Sequence, residues 1–178
     1  PNAQSARIIT AAVSQLRVPV VCDPVMLSTS GTQLMADECI DYIMQTLFPL
    51  CTLVTPNLPE ALRLSGLPAG SDAEAMGRRL VSMCGTAFLL KGGHAEGRLM
   101  RDILYCPDGE RHEYCSPRID SPNHHGTGCT LSSAVAALLA EGRSLPEAVA
   151  GAKTLIDKGI AGGRALRIGR GNGPLWLF

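Results

Sequence analysis

This sequence predicts an α/β protein built on a mostly parallel, doubly wound sheet, and three observations carry that prediction. Short apolar runs at 18–22, 52–55 and 87–90 stop at Asp23-Pro24, Pro56 and Lys91-Gly92, as strands buried on both faces of a parallel sheet do. Stretches with helical spacing of apolar residues separate these runs, and a strand–helix alternation of this kind calls for parallel crossovers. Residues 100–116 change to two runs of alternating character around Pro107-Asp108-Gly109, an antiparallel hairpin expected at one edge of the sheet.

The elements follow in order. Ile8, Ile9, Ala12, Val13 and Leu16 recur at helical spacing, so an amphipathic helix opens the chain and feeds the strand at 18–22. A helix ahead of that strand, with Pro1 rather than methionine in first place, makes an earlier strand and a longer parent protein the expectation. After a loop containing Ser28-Thr29-Ser30-Gly31, residues 36–48 place Cys39, Ile40, Ile43, Met44 and Leu47 on one face, with acidic residues in the first turn. Asn57-x-x-Glu60 reads as a capping box for a helix closed by Gly66, and Ser71-x-x-Glu74 as a second for a helix to about Cys84. Beyond the hairpin, a helix runs from the His125-to-Cys129 loop to about Gly142, and another from Ser144-x-x-Glu147 to Gly162-Gly163.

Bulk properties exclude several classes of function. The chain has 178 residues, 46% hydrophobic and 18% charged, which suits one globular domain over 1–178. Lys and Arg number 16 against 16 Asp and Glu, and no basic run offers a nucleic-acid footprint. No apolar span approaches the roughly 20 residues of a membrane helix, and no signal pattern opens the chain, so a cytoplasmic protein is expected. Seven cysteines, an odd number without C-x-x-C spacing, fit a reducing compartment. Cys106, His112 and Cys115 lack a fourth ligand at sensible spacing, which argues against zinc.

In a doubly wound sheet, ligands bind outside the carboxyl ends of the strands. Asp23, Asn57 with Glu60, and Lys91 with Gly92-Gly93 follow three separate strands there. Magnesium needs oxygen ligands or waters they orient, which Asp23, Asn57 and Glu60 supply; Lys91 brings positive charge to phosphate oxygens, and the glycines allow close backbone approach. Gly126-Thr127-Gly128-Cys129 opens an apolar helix, so its backbone N–H groups and the positive helix end suit an anion such as a transferring phosphoryl group. Cys129, on the first turn of that helix, is placed for acid–base work. Plainer readings stand beside these: a glycine loop before a core helix with a buried cysteine, a capping box and nothing more at Asn57 and Glu60, a solvated Lys91, and structural histidines at 94 and 125.

Taken together, Asp23-Pro24-Val25-Met26 with Ser30-Gly31, Thr55-Pro56-Asn57-Leu58-Pro59-Glu60-Ala61, Leu90-Lys91-Gly92-Gly93-His94, His125-Gly126-Thr127-Gly128-Cys129-Thr130-Leu131-Ser132 and Gly171-x-Gly173-Pro174 resemble the hydroxymethylpyrimidine/phosphomethylpyrimidine kinases of thiamine biosynthesis. That family belongs to the ribokinase-like superfamily. The five motifs lie in register over nearly the whole chain. Cysteine after Gly-Thr-Gly is the sharpest of them, since sugar kinases and most pyridoxal kinases of the superfamily are expected to carry aspartate there.

The resemblance implies a three-layer ribokinase-like domain of which 1–178 forms the C-terminal two-thirds, with an N-terminal βαβ unit and flap expected upstream that supply most of the pyrimidine pocket. It implies ATP- and Mg2+-dependent phosphorylation of 4-amino-5-hydroxymethyl-2-methylpyrimidine and then of its monophosphate. Cys129 would be the base, or would place the substrate oxygen; the backbone of Gly126, Thr127, Gly128 and Cys129 would stabilise charge on the transferring group. Asp23 and Glu60 would act on magnesium through water, while Asn57, Lys91 and Gly93 would meet the nucleotide. The adenine would lie over the loop and helices downstream of Cys129, and a homodimer is implied. A pyridoxal or pyridoxine kinase of the same fold is the near alternative, and a nucleotide-binding module without catalysis the distant one.

Overall fold

The computed structural model describes residues 2–27, 32–92 and 98–177. Among them are six α-helices and a mixed five-stranded sheet in the order β1-β2-β3-β4-β5. The strands β1 (Val21–Cys22), β2 (Leu53–Val54) and β3 (Ala87–Leu90) are parallel, with Cys22, Val54 and Phe88 in one register row. Antiparallel to β3 runs β4 (Leu99–Tyr105), joined by the Pro107-Asp108-Gly109 turn to β5 (Arg111–Pro117). This is the expected α/β class with the hairpin on the edge. The strands are short because Pro24 and Pro56, which lack the N–H a ladder needs, stop β1 and β2 almost at once.

By compactness the chain divides into two units, Pro1–His94 with Asp102–Glu113, and Ala95–Arg101 with Tyr114–Phe178. In the first, α1 (Ala3–Val13), α2 (Asp37–Thr46), α3 (Leu58–Ser65) and α4 (Ala73–Cys84) pack side by side, α1 on α2 and α4 on both α2 and α3. Their core centres on Phe48 and Phe88, both fully buried, with ring centroids 6.1 Å apart in an edge-to-face contact. In the second, α5 (Thr127–Ala140) packs along α6 (Leu145–Gly163). Small residues Ala148, Ala152, Gly159 and Gly163 line the buried side of α6, and the returning tail lies along its end, with the Trp176 N–H donated to the Gly159 carbonyl at 3.0 Å. No described helix is long and apolar enough to cross a membrane.

Two local expectations change. Of the stripe expected to bury α1, only Val13 packs against the core: Ile8 is 65% exposed and Ile9 49%, while Ala6 is the buried contact. Ala6 is the buried residue of α1, which packs on α2, and the Arg7 guanidinium lies over the Tyr42 ring, 5.8 Å from its centroid. The cap of α4 is Asp72 rather than Ser71: the Asp72 carboxylate accepts the Ala75 N–H, while the Ser71 hydroxyl is donated back to the Pro68 carbonyl. Freed from a capping box, Glu74 pairs with Arg78 and Arg111 and accepts the Tyr105 hydroxyl.

Gly77 of α4 lies against the Tyr105 ring, and a Cβ built there would overlap ring carbons. Helix propensity alone favours Gly→Ala by about 1 kcal/mol, whereas overpacking a core costs about 1–3 kcal/mol. Gly77→Ala is therefore expected to lower stability in urea unfolding, and Gly77→Ala combined with Tyr105→Leu to recover most of the loss. A stabilised single variant would contradict this packing.

Candidate functional site

The flush register of β1, β2 and β3 brings the residues that follow them to one level. Lys91 continues past β3 by bridging to Asn57, its N–H donated to the Pro56 carbonyl at 2.9 Å. Its ammonium then reaches Asp23 at 2.8 Å, with the two side chains 16% and 12% exposed. The Thr55 hydroxyl donates to the same Asp23 oxygen at 3.1 Å. One carboxylate oxygen after β1 thus holds a hydroxyl from β2's end and a cation from β3's end. Lys91 is accordingly a partnered, mostly buried charge rather than a solvated one.

Glu60 lies beside this group and is itself buried. The capping box is complete: Asn57 accepts the Glu60 N–H at 2.8 Å, and Glu60 Oε2 accepts the Asn57 N–H at 2.8 Å. Glu60 Oε1 accepts the Met26 N–H at 3.3 Å, which ties the loop after β1 to the start of α3. Burial pushes the Glu60 carboxyl above the usual glutamate range; the Asn57 and Met26 N–H groups and the charge on Lys91 hold it down, and Asp23 pushes it up. Asn57 Oδ1 accepts the capping N–H and keeps a second lone pair, and its amide N–H groups can donate to a phosphate oxygen. Among the described residues no three His, Cys, Asp or Glu side chains converge as a metal cage. Glu60, whose two oxygens accept protein donors, and Asp23, whose Oδ1 does, fit a Mg2+ ion that keeps its own waters between itself and the protein.

The second candidate group lies in the other compact unit and is held from both sides. Asn123, buried, donates its amide to the Gly163 carbonyl at 2.5 Å and the Leu166 carbonyl at 3.1 Å, clamping the end of α6. His125 donates its N–H to the Gly173 carbonyl at 3.0 Å, which anchors the loop to the tail. Gly126 then takes φ +85°, the left-handed conformation that favours glycine, and α5 begins. The Thr127 N–H and hydroxyl are donated to the His124 carbonyl, at 3.3 and 2.7 Å. Among the described residues the N–H groups of Gly128 and Cys129 have no acceptor, so the first turn presents two donors at a positive helix end. The Cys129 side chain is exposed, which removes the reading of a buried core cysteine.

Asp23, Asn57, Glu60 and Lys91 are therefore brought together in one unit, and Gly126, Thr127, Gly128 and Cys129 in the other. Gly93, His94 and the Ser30-Gly31 turn lie outside the described residues. All seven cysteines are free thiols. Thr55 is expected at the strand end and in the motif but without a role of its own, and Asp102 is not among the expected site residues. Asp102 was recoverable in principle, as an acidic side chain set among Ile103, Leu104 and Tyr105 in a strand whose neighbours are buried.

Comparison with known proteins bears on this arrangement. The family model described as phosphomethylpyrimidine kinase matches residues 1–176. The chain is 42% identical over 162 residues to the hydroxymethylpyrimidine/phosphomethylpyrimidine kinase of Salmonella typhimurium, covering 89% of this chain and 60% of that protein. It is 45% identical over 179 residues to a thiamine biosynthesis bifunctional protein of Geobacter sulfurreducens, covering 96% of this chain and 36% of that one. Among solved structures it superimposes on a Bacillus subtilis pyridoxal kinase in an ADP complex with TM-score 0.84 and 28% identity, over 99% of this chain and 66% of that one. A phosphomethylpyrimidine kinase of Clostridium difficile matches with TM-score 0.68 and 30% identity, over 87% and 63% of the two chains. The chain thus spans about 60% of the length of the curated single-function kinase and a smaller share of the bifunctional protein.

Because the folded Glu60 binds its proton more tightly than an ordinary glutamate, its contribution to stability is fully present below the usual glutamate range and is lost as pH rises through the raised folded value. Glu60→Gln keeps one acceptor and removes the titration. In urea unfolding without divalent cation, from about pH 4 to about pH 7, wild type is expected to lose stability relative to Glu60→Gln as pH rises. A difference that stays flat with pH would refute the raised carboxyl.

Proposed function

Since the chain belongs to the phosphomethylpyrimidine kinase family, we propose that it carries the nucleotide-handling and phosphoryl-handling groups of an ATP-dependent kinase. Its acceptor in this reading is 4-amino-5-hydroxymethyl-2-methylpyrimidine, and then the monophosphate, which it converts to the diphosphate. The observation that carries the reading is the start of α5, where Gly126 turns the backbone and the Gly128 and Cys129 N–H groups have no acceptor among the described residues, beside an exposed Cys129 thiol. Residues 1–178 act in it as one kinase domain, and the homodimer and the cytoplasmic location belong to the same proposal.

The chemistry is positioning and charge stabilisation. The acceptor's hydroxymethyl oxygen bonds to the γ-phosphorus while the bond from that phosphorus to the β,γ-bridging oxygen breaks and ADP leaves. Gly128 and Cys129 donate their N–H groups to the equatorial oxygens as charge spreads over them. Cys129 receives the hydroxyl proton or holds the hydroxyl in line. Lys91, kept in place by Asp23 and Thr55, offers its ammonium to nucleotide phosphate, and the free amide of Asn57 donates alongside it. Asp23 and Glu60 are the carboxylates that would orient the waters of a bound Mg2+, which would supply charge neutralisation at the nucleotide phosphates.

A pyridoxal or pyridoxine kinase is the second reading, favoured by the TM-score of 0.84 to the Bacillus subtilis pyridoxal kinase. Against it stand the higher identities to thiamine-pathway proteins, at 42% and 45%, and the Gly-Thr-Gly-Cys loop. One assay separates them. The full-length protein is expected to turn over ATP with the pyrimidine alcohol and its monophosphate in preference to pyridoxine. Cys129→Ala is expected to lose about 10²- to 10⁴-fold in kcat with ATP binding retained. Preferential turnover of pyridoxine would establish the second reading, and an unchanged kcat would make Cys129 structural.

A further inference from the structure

The described backbone of β3 ends in an unusual way. Leu90 pairs with Ile103 of β4, so in a continuing antiparallel ladder Lys91 would stand opposite Asp102. Among the described residues Lys91 instead bridges only to Asn57, on the β2 side. The Lys91 N–H goes to the Pro56 carbonyl on the other side, and the Gly92 N–H is taken by the Asp102 carboxylate at 2.8 Å. Asp102 is only 4% exposed and sits in a row with Ile103, Leu104 and Tyr105, all buried. A carboxylate at that depth is costly to desolvate and persists only where donors meet it.

We propose that Asp102 is a positioning residue for Lys91: its buried carboxylate fixes the backbone at Gly92 and thereby aims the Lys91 ammonium at the Asp23 end of the site. The inference rests on the kinase reading, in which Lys91 meets nucleotide phosphate. Asp102 makes no contact with a ligand in this account. The lysine stem is flexible, so the ammonium is fixed only when its backbone and its Asp23 partner are both held. That backbone is held on one side by Pro56 and one residue later by Asp102. With the carboxylate removed, the Gly92 N–H is buried without an acceptor and is drawn toward water, which swings Lys91 with it.

The test compares wild type, Asp102→Asn and Asp102→Ala in the full-length protein. ATP affinity is measured by calorimetric titration, and the KM for ATP and for the pyrimidine alcohol by steady-state kinetics. Asn presents a carbonyl oxygen to the same N–H, so Asp102→Asn is expected to stay within about 3-fold of wild type for ATP. Asp102→Ala is expected to weaken ATP by about 10-fold or more, the cost of losing an orienting partner, while the KM for the pyrimidine alcohol holds. In a Lys91→Met background, Asp102→Ala is expected to add no further loss, because its effect passes through the lysine. Unchanged ATP affinity in a folded Asp102→Ala, or full additivity with Lys91→Met, overturns the proposal. If Asp102→Ala does not fold, Asp102→Ser, whose hydroxyl is too short to reach Gly92, replaces it; unfolding of both overturns the positioning role in favour of a structural one. Wild-type protein that binds no ATP refutes the kinase reading itself, whereas wild-type binding with an indifferent Asp102→Ala refutes only this inference.

Discussion

An ion pair between a lysine and an aspartate from different strands is the interaction on which the candidate site in the sheet depends. Asp23 and Lys91 are each less than one-fifth exposed and 2.8 Å apart. At that depth neither charge is sustained alone, and removing one partner from a buried pair costs about 3–5 kcal/mol. The pair therefore demands that the ends of β1 and β3 stay in register across β2, and Thr55 fills the gap with a hydroxyl donated to the shared oxygen. A flush row of parallel strand ends follows from the short ladders, and the ladders are short because proline stops them.

Glu60 illustrates how one side chain serves two ends. Its carboxylate completes the cap of α3 through Asn57 and anchors the loop after β1 through Met26. Those backbone N–H groups keep a buried carboxylate tolerable, yet burial still raises its proton affinity. Capping and ligand handling are therefore not competing explanations for Asn57 and Glu60. The cap fixes Asn57 through its oxygen, and it holds Glu60 where its charge is felt by Asp23 and Lys91.

Much of this was legible in the chain. The strand runs, the hairpin turn, the Asn57 and Ser144 capping boxes and the glycine at the start of α5 are local signals, set by backbone sterics and by hydrogen bonds within four residues. They read correctly for that reason. The exposed face of α1 and the Asp72 cap did not, because each was decided by a competing contact: Ala6 against α2, and Glu74 drawn to Arg78, Arg111 and Tyr105. Asp102 shows in the sequence as an acidic residue in a buried strand, but nothing near it announces its partner. Gly92 is ten residues away and meets it only through the pairing of β3 with β4.

What the sequence determined by itself is therefore the α/β class, the order of the elements and the identity of the chemical groups. Asp23, Asn57, Glu60, Lys91 and the Gly-Thr-Gly-Cys loop are recognisable from residue type and from their position just after apolar runs or before a helix. What only the tertiary structure decided is which of these groups touch and which atoms remain available. The Asp23–Lys91 pair spans 68 residues and the Glu60–Met26 contact 34. Such distances close only when strands align and desolvation forces buried charges and N–H groups to find partners, so their pairing is a property of the folded packing rather than of any local stretch.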